Sequence, residues 1–240
     1  VYLDRMKKYF DIALEEGVRI FVTALGKPDY FVKKAHEVGG FVFHDVTDRK
    51  WALRARDGGV DALIAVNSLA GGHAGQKNPQ TLFDELKDLG LPLVCAGGVG
   101  NRKNYLEALQ MGYVAVQMGT RFLASQECNI SEDYKRAILN AHAKDIVHTL
   151  KLTGVPVAVI ETEFVKKVGI EAGPLARFML SHSKMKHWMR LFYSLQSFWS
   201  LKKSFQNEKS RQGYYQAGKS VEGIDSILSV HEIVQSFVKS

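Results

Sequence analysis

The sequence is short of several things, and each shortage excludes a class. Two cysteines, Cys95 and Cys128, cannot build a disulfide framework or a four-ligand zinc site by themselves. Five prolines among 240 residues rule out a proline-rich or collagen-like polymer. No apolar run approaches the roughly 20 residues of a membrane-spanning helix. No leader of charged and then apolar residues opens the chain, because residues 1–16 are a charged amphipathic stretch. A reducing cytoplasm is therefore the expected setting. Gly-x-Gly-x-x-Gly, Gly-x-Ser-x-Gly and His-Glu-x-x-His are all missing. That argues against a Rossmann dinucleotide site, a serine-hydrolase elbow and a zincin-type metal site.

What is present is an ordinary globular composition, 46% hydrophobic and 24% charged, with a net charge of +7. The excess is local. Residues 177–211 hold eight Lys/Arg and one acid, Glu208, and the rest of the chain is neutral. The segment interleaves this charge with Trp188, Phe192, Tyr193, Phe198 and Trp199. It reads as a helical extension with a solvated basic face and a core-facing aromatic stripe. A surface for single-stranded nucleic acid or anionic lipid is the alternative. Neither nucleic acid nor a membrane is the expected partner, and a homodimer is left open.

The first 125 residues alternate β-branched runs with amphipathic runs. Strands are expected at 19–25, 41–46, 62–66, 92–96 and 114–118, with helices at 29–38, 48–56, 79–89 and 101–111 and a later one at 132–143. Continuous apolar strands joined by helices mean a parallel sheet covered on both faces, either a βα barrel or an open doubly wound sheet. After residue 145 the rhythm changes. A short extended run at 155–160, a helical stretch at 174–205, a polar linker at 206–213 and two short helices after Tyr214 read as a C-terminal extension. The expected domains are thus 1–149, a partial barrel, and 150–240, a helical extension.

Three glycine-rich turns follow strands: Ala70-Gly71-Gly72-His73-Ala74-Gly75, Ala96-Gly97-Gly98-Val99-Gly100 and Gln117-Met118-Gly119-Thr120. The carboxyl ends of parallel strands are where such folds bind ligands. Glycines let backbone N–H groups approach a ligand closely. Gly97, Gly98, Gly119 and Thr120, in two successive turns, suit a phosphate. The alternative is that each glycine only makes a tight turn. His73 is the one histidine in such a loop; it is either a general base or anion-binding donor, or a loop histidine bonded to nearby carbonyls. Cys95, in an apolar strand, is read as core.

These three turns, with Val-Gln-Met-Gly-Thr-Arg-Phe-Leu over 116–123 and Tyr-Tyr-Gln-Ala-Gly-Lys-Ser over 214–220, resemble the nitronate monooxygenase (2-nitropropane dioxygenase) family in order and spacing over nearly the whole chain. The resemblance implies a TIM-type βα barrel with an appended helical part and FMN as cofactor. It implies oxidation of alkyl nitronates by molecular oxygen to a carbonyl compound and nitrite. It assigns His73 to catalysis, Gly71, Gly72, Gly97, Gly98, Gln117, Met118, Gly119 and Thr120 to the flavin, and Tyr215 and Lys219 to the substrate end. No metal is implied. An FMN-dependent enoyl-ACP reductase, or an inactive truncated relic, are the alternative readings.

Two departures stand out. A glutamine that often precedes the Gly-Gly-His loop in the family is replaced by Val66, with Asn67 beside it. Only five of the eight barrel strands can be counted, and the chain opens on Val inside a helical pattern. The expectation is that the first three strands, roughly 80–90 residues at the usual repeat length, are absent from this chain.

Overall fold

The computed structural model describes residues 2–152, 155–171 and 214–238. The helical stretch expected at 174–205, the linker at 206–213 and the basic segment 177–211 lie outside these residues. Two compact units interleave along the chain. The first gathers Val1–Ser68, Gly75–Ala96 and Ala108–Gln117; the second gathers Leu69–Ala74, Gly97–Glu107 and Met118–Ser240.

The first unit is a five-stranded parallel sheet with strands β1 (Ile20–Thr23), β2 (Phe41–Val46), β3 (Ala62–Val66), β4 (Leu93–Ala96) and β5 (Ala115–Gln117), hydrogen-bonded in that order. Helices α1 (Tyr2–Glu15), α2 (Asp29–His36), α3 (Arg49–Asp57) and α4 (Pro79–Leu86) alternate with them, and α5 (Arg102–Met111) joins β4 to β5. Sequential parallel strands with helical crossovers are the TIM-type βα arrangement. Five strands stand in a row, where a closed barrel has eight.

Local chemistry fixes the helix ends. The Asp48 carboxylate accepts from Trp51 N at 3.1 Å and starts α3. Asn78 accepts from Thr81 N at 2.8 Å ahead of Pro79, the first residue of α4. The expected helix 79–89 splits into α4 and a 3-10 turn, Lys87–Leu89, closed by Gly90 at φ 74°. The left-handed φ there suits only glycine well.

The two faces of the sheet differ. Val42, Val46, Leu63, Ala65, Leu93 and Cys95 face the helices and pack with Ala35, Ala52, Leu82 and Leu86. Fully burying one such leucine contributes about 1.5–3 kcal/mol. Ile64, Val94 and Ala96 face the other way, with Phe43, Val66 and Ala115 against them. On that face β1 and β2 also carry Ile20 and Phe41, which pair in register and are 63% and 52% exposed.

Adjacent residues of β2 carry opposed pH linkages. His44 is buried on the helix side, its Nδ1 2.8 Å from Thr23 Oγ1, and burial lowers its pKa. Its neutral form suits the fold, so its contribution is complete above pH 6.5 and is lost as pH falls below that value through the lower folded pKa. Asp45 points the other way. Its Oδ1 is buried without a hydrogen-bond partner, and burial pushes the carboxyl from 3.8 up to about 6. Its contribution is complete below pH 3.8 and is lost as pH rises toward 6. Asp45→Asn is therefore expected to be more stable than the parent at pH 7 by about 1–2 kcal/mol and equal to it below pH 4. Urea unfolding at the two pH values checks this.

The second unit contains α6 (Thr120–Leu123), α7 (Glu132–Asn140), an antiparallel pair β6 (Ile146–Thr149) and β7 (Val157–Ile160), α8 (Glu163–Val168), a 3-10 turn Lys219–Gly223 and α9 (Val230–Val238). Strand β6 was not foreseen, and its pairing runs across residue 150. Tyr134, Ile138, Ile160, Tyr215, Ala217 and Val221 share one core, and Leu152, Val157, Val159 and Val165 another.

Candidate functional site

The chain leaves β3, β4 and β5 directly into the three glycine turns. Residues 69–74, 97–100 and 118–120 all belong to the second unit. Within that unit, one stretch ties them together, residues 216–223.

The tie depends on glycine. A Cβ on Gly218 would lie 2.6 Å from Gly71 N and 2.7 Å from Leu69 O. A Cβ on Gly71 would lie 2.9 Å from Gly218 N. The two backbones thus cross at a distance that side chains forbid. Three hydrogen bonds hold the crossing: Gly218 N donates to Thr120 Oγ1 at 3.0 Å, Lys219 N donates to Leu69 O at 2.9 Å, and Ala158 N donates to Gly72 O at 2.8 Å. Gly98, at φ 83°, lies against Leu69, whose Cδ1 would be 2.7 Å from a Cβ there. Gly100 lies against Ser220 O, 2.1 Å from a Cβ position. So the 216–223 stretch touches all three turns.

His73 follows directly from this crossing. It is exposed, yet desolvation by its surroundings holds its pKa below the ordinary 6.5. The imidazole is neutral at pH 7 and offers one N–H donor and one acceptor. The phosphate-type features sit on the other two turns. Among the described residues, the Gly98 and Gly119 amides donate to no protein acceptor. Space above Gly119 is open to 4 Å. Thr120 Oγ1 accepts from Gly218, and its proton remains available to an anion. Gly100 N is taken by Asn104 Oδ1 at 3.3 Å, while Asn101 caps α5 through Asn104 N at 3.0 Å. These donors fit a bound phosphate. No group of His, Cys, Asp or Glu among the described residues could hold a metal ion. No described helix is long and apolar enough to cross a membrane.

The remaining sequence candidates are placed as follows. Gly97 has φ 117° and Gly72 φ 66°, both left-handed. Gln117 ends β5 opposite Ala96 and is exposed; Met118 is half-buried. Tyr215 is 5% exposed and packs in the core, its ring stacked on Tyr134 with centroids 4.6 Å apart. Lys219 is half-buried at the start of its 3-10 turn.

Asn67 does not stand in for the glutamine that Val66 replaces. It is fully buried, and its side-chain amide donates to Cys95 Sγ at 3.5 Å. Cys95 belongs to the core, and burial pushes its thiol up to about 11. Val66 lies on the sheet's other face.

Sequence reading missed Gly218 and Gln216, which join the Gly-Gly-His loop to the C-terminal stretch. The available signal was a glycine between Ala217 and Lys219, inside the Tyr214–Ser220 motif.

Comparison with known proteins places this geometry. A family model described as nitronate monooxygenase matches residues 4–240. A probable nitronate monooxygenase of Staphylococcus saprophyticus is 32% identical over 68% of this chain and 50% of its own length. A 5-hydroxy-7a-methyl-1-oxo-octahydro-1H-indene-4-carboxyl-CoA dehydrogenase of Mycobacterium tuberculosis is 25% identical over 95% of this chain and 72% of its own length. The structure of FabK from Thermotoga maritima superposes with a TM-score of 0.79 at 27% identity, covering 95% of this chain and 70% of that one. The chain thus spans half of the staphylococcal relative and about seven-tenths of the other two.

Proposed function

Because the chain belongs to the nitronate monooxygenase family, we propose that it is an FMN-dependent oxidoreductase that oxidises alkyl nitronates with molecular oxygen to a carbonyl compound and nitrite. The observation that carries this reading is the tied set of turns, with His73 on one and the unengaged Gly98 and Gly119 amides on the others.

FMN, when bound, supplies the electron exchange between the nitronate and dioxygen. Gly98, Gly119 and Thr120 would hold its phosphate through backbone N–H and hydroxyl donors. Gly71, Gly72, Gly97 and Met118 would line the rest of it. Neutral His73 donates its N–H to a nitronate oxygen and orients the anion. It need not remove a proton, because a nitronate is already the deprotonated form. Lys219 is assigned to the substrate end, where its ammonium complements the anion. The buried Tyr215 ring supports that stretch from the core side.

The test is an FMN titration followed by oxygen uptake with an alkyl nitronate. Near-stoichiometric FMN and nitronate-dependent uptake support the proposal. FMN binding without uptake removes the substrate assignment, and no FMN binding removes the cofactor.

A second reading, reduction or oxidation of an acyl thioester with a nicotinamide partner, has two observations in its favour. The mycobacterial relative, named for a carboxyl-CoA substrate, aligns over 95% of this chain. Val66 also stands where the glutamine was expected. Oxidation of NADH dependent on an enoyl thioester, without nitronate-dependent oxygen uptake, would select it.

A further inference from the structure

Tyr134 on α7 is one of the largest fully buried side chains, 1% exposed. Burial raises its phenol well above the ordinary value, so it stays protonated and donates. Its O–H donates to Gln216 O at 2.5 Å, and its ring stacks on Tyr215 at an interplanar angle of 25°. Its own backbone is fixed by the Ser131 cap at the start of α7.

The residue it grips is the first of the stretch that ties the glycine turns. From Gln216 the chain passes through Ala217 to Gly218, which crosses Gly71 and binds Thr120, and to Lys219, which binds Leu69. On the other side of this grip, Ile160 N donates to Tyr215 O at 2.8 Å, and Val159 bridges to Gln216. Strand β7 also holds Gly72 through Ala158 N. Tyr134 therefore bonds a short segment that, among the described residues, meets both the His73 loop and the Thr120 turn.

We propose that Tyr134 is a positioning residue for the reaction: its hydroxyl, by holding Gln216 O, sets the register of residues 216–219 and through them the place of His73. The proposal rests on the nitronate reading only for the reaction it affects. The positioning itself is a property of the free protein. A phenol acts here because a single O–H on a rigid, buried ring fixes a carbonyl with little rotamer freedom to lose.

The variant is Tyr134→Phe, which keeps the ring stack and removes the O–H. The control is Tyr113→Phe. Tyr113 is equally buried, 2% exposed, and its O–H donates to Pro79 O at 2.8 Å within the first unit. Both variants lose one buried phenol–carbonyl bond. Two readouts are taken on the full chain: amide hydrogen exchange of Ala158, Gly218 and Lys219, and steady-state turnover of an alkyl nitronate.

In Tyr134→Phe those three amides are expected to exchange about 10-fold faster, and kcat to fall about 10-fold with KM within twofold, as for a misplaced catalytic group. Tyr113→Phe should move neither. Replacing Tyr134 by 4-aminophenylalanine, which restores an N–H donor, should recover both and covers the case in which the Phe variant folds poorly. The proposal is overturned if Tyr134→Phe leaves the three amides protected, or if Tyr113→Phe exposes them equally. If the amides respond but the parent protein turns over no nitronate, the positioning stands and the nitronate reading falls.

Discussion

Gly218→Ala is expected to lower the melting temperature by about 6–12 °C and to remove flavin binding. The added methyl would meet Gly71 N at 2.6 Å, Leu69 O at 2.7 Å and Ala70 C at 2.9 Å. All three are backbone atoms, so no side chain can swing aside. Overpacking of this kind costs about 3 kcal/mol, and for a chain of this size each kcal/mol moves the midpoint by about 2–4 °C. The cheapest escape is for residues 217–219 to lift off the Gly-Gly-His loop. That breaks the Gly218–Thr120 and Lys219–Leu69 bonds and releases His73 and Thr120 together. Gly119→Ala is the matched control. A Cβ there meets nothing within 4 Å, so the melting temperature should not move. Thermal unfolding and quenching of FMN fluorescence on titration measure the two effects. An unchanged Gly218→Ala protein would mean that the crossing is not tight in solution.

His73→Ala is expected to reduce kcat for an alkyl nitronate by about 10²–10³-fold, the usual cost of removing one donor from a developing or standing oxyanion. A second substitution separates donation from proton abstraction. His73→Gln keeps an N–H donor and has no basicity. If His73 donates to a substrate that is already an anion, glutamine should recover part of the rate. If His73 abstracts a proton, glutamine should be as inactive as alanine. The direction of the pKa shift adds a pH criterion. Desolvation holds the imidazole below 6.5, so the neutral donor persists into mildly acidic solution. Any change of rate due to His73 should therefore fall on the acid side of pH 6.5, and a limb above that value would belong to another group.

The first unit was legible because its signals are local. Strands β2 and β3 follow from continuous β-branched runs and have the expected bounds. The caps at Asp48 and Asn101 and the stop at Gly90 could be named from residue type alone. Three features were not legible, each for a physical reason. Strand β6, Ile-Val-His-Thr, is four residues long and follows a 3-10 turn; only its antiparallel partner β7 makes it a strand. The role of Asn67 depended on which face of the sheet it continues, and the structure puts it on the Cys95 side. The crossing of Gly71 and Gly218 joins segments far apart in sequence, and no periodicity within either reports the other. Glycines at 71, 72, 97 and 98 read as ligand contacts, with tight turns as the alternative. Of these, Gly71 and Gly98 are needed first by the protein itself, because a side chain would strike Gly218 and Leu69. Much the same holds for Thr120, whose hydroxyl oxygen serves Gly218 before any ligand.

The interleaving of the two units has a consequence in time. Leu69–Ala74 and Gly97–Glu107 emerge from the ribosome early, but the unit that they belong to closes only when residues 216–223 arrive. Thr120 waits 98 residues for Gly218, and Arg121 waits 105 for the Ser226 carbonyl that its guanidinium binds. At about 5–20 residues per second, that is a delay of roughly 5–20 seconds. During it the sheet of the first unit, whose segments all lie before residue 118, can already be complete. The Gly-Gly-His loop thus gains its ties only after the sheet can be complete, and a ribosome that stalls before residue 216 leaves that sheet with the loop untied.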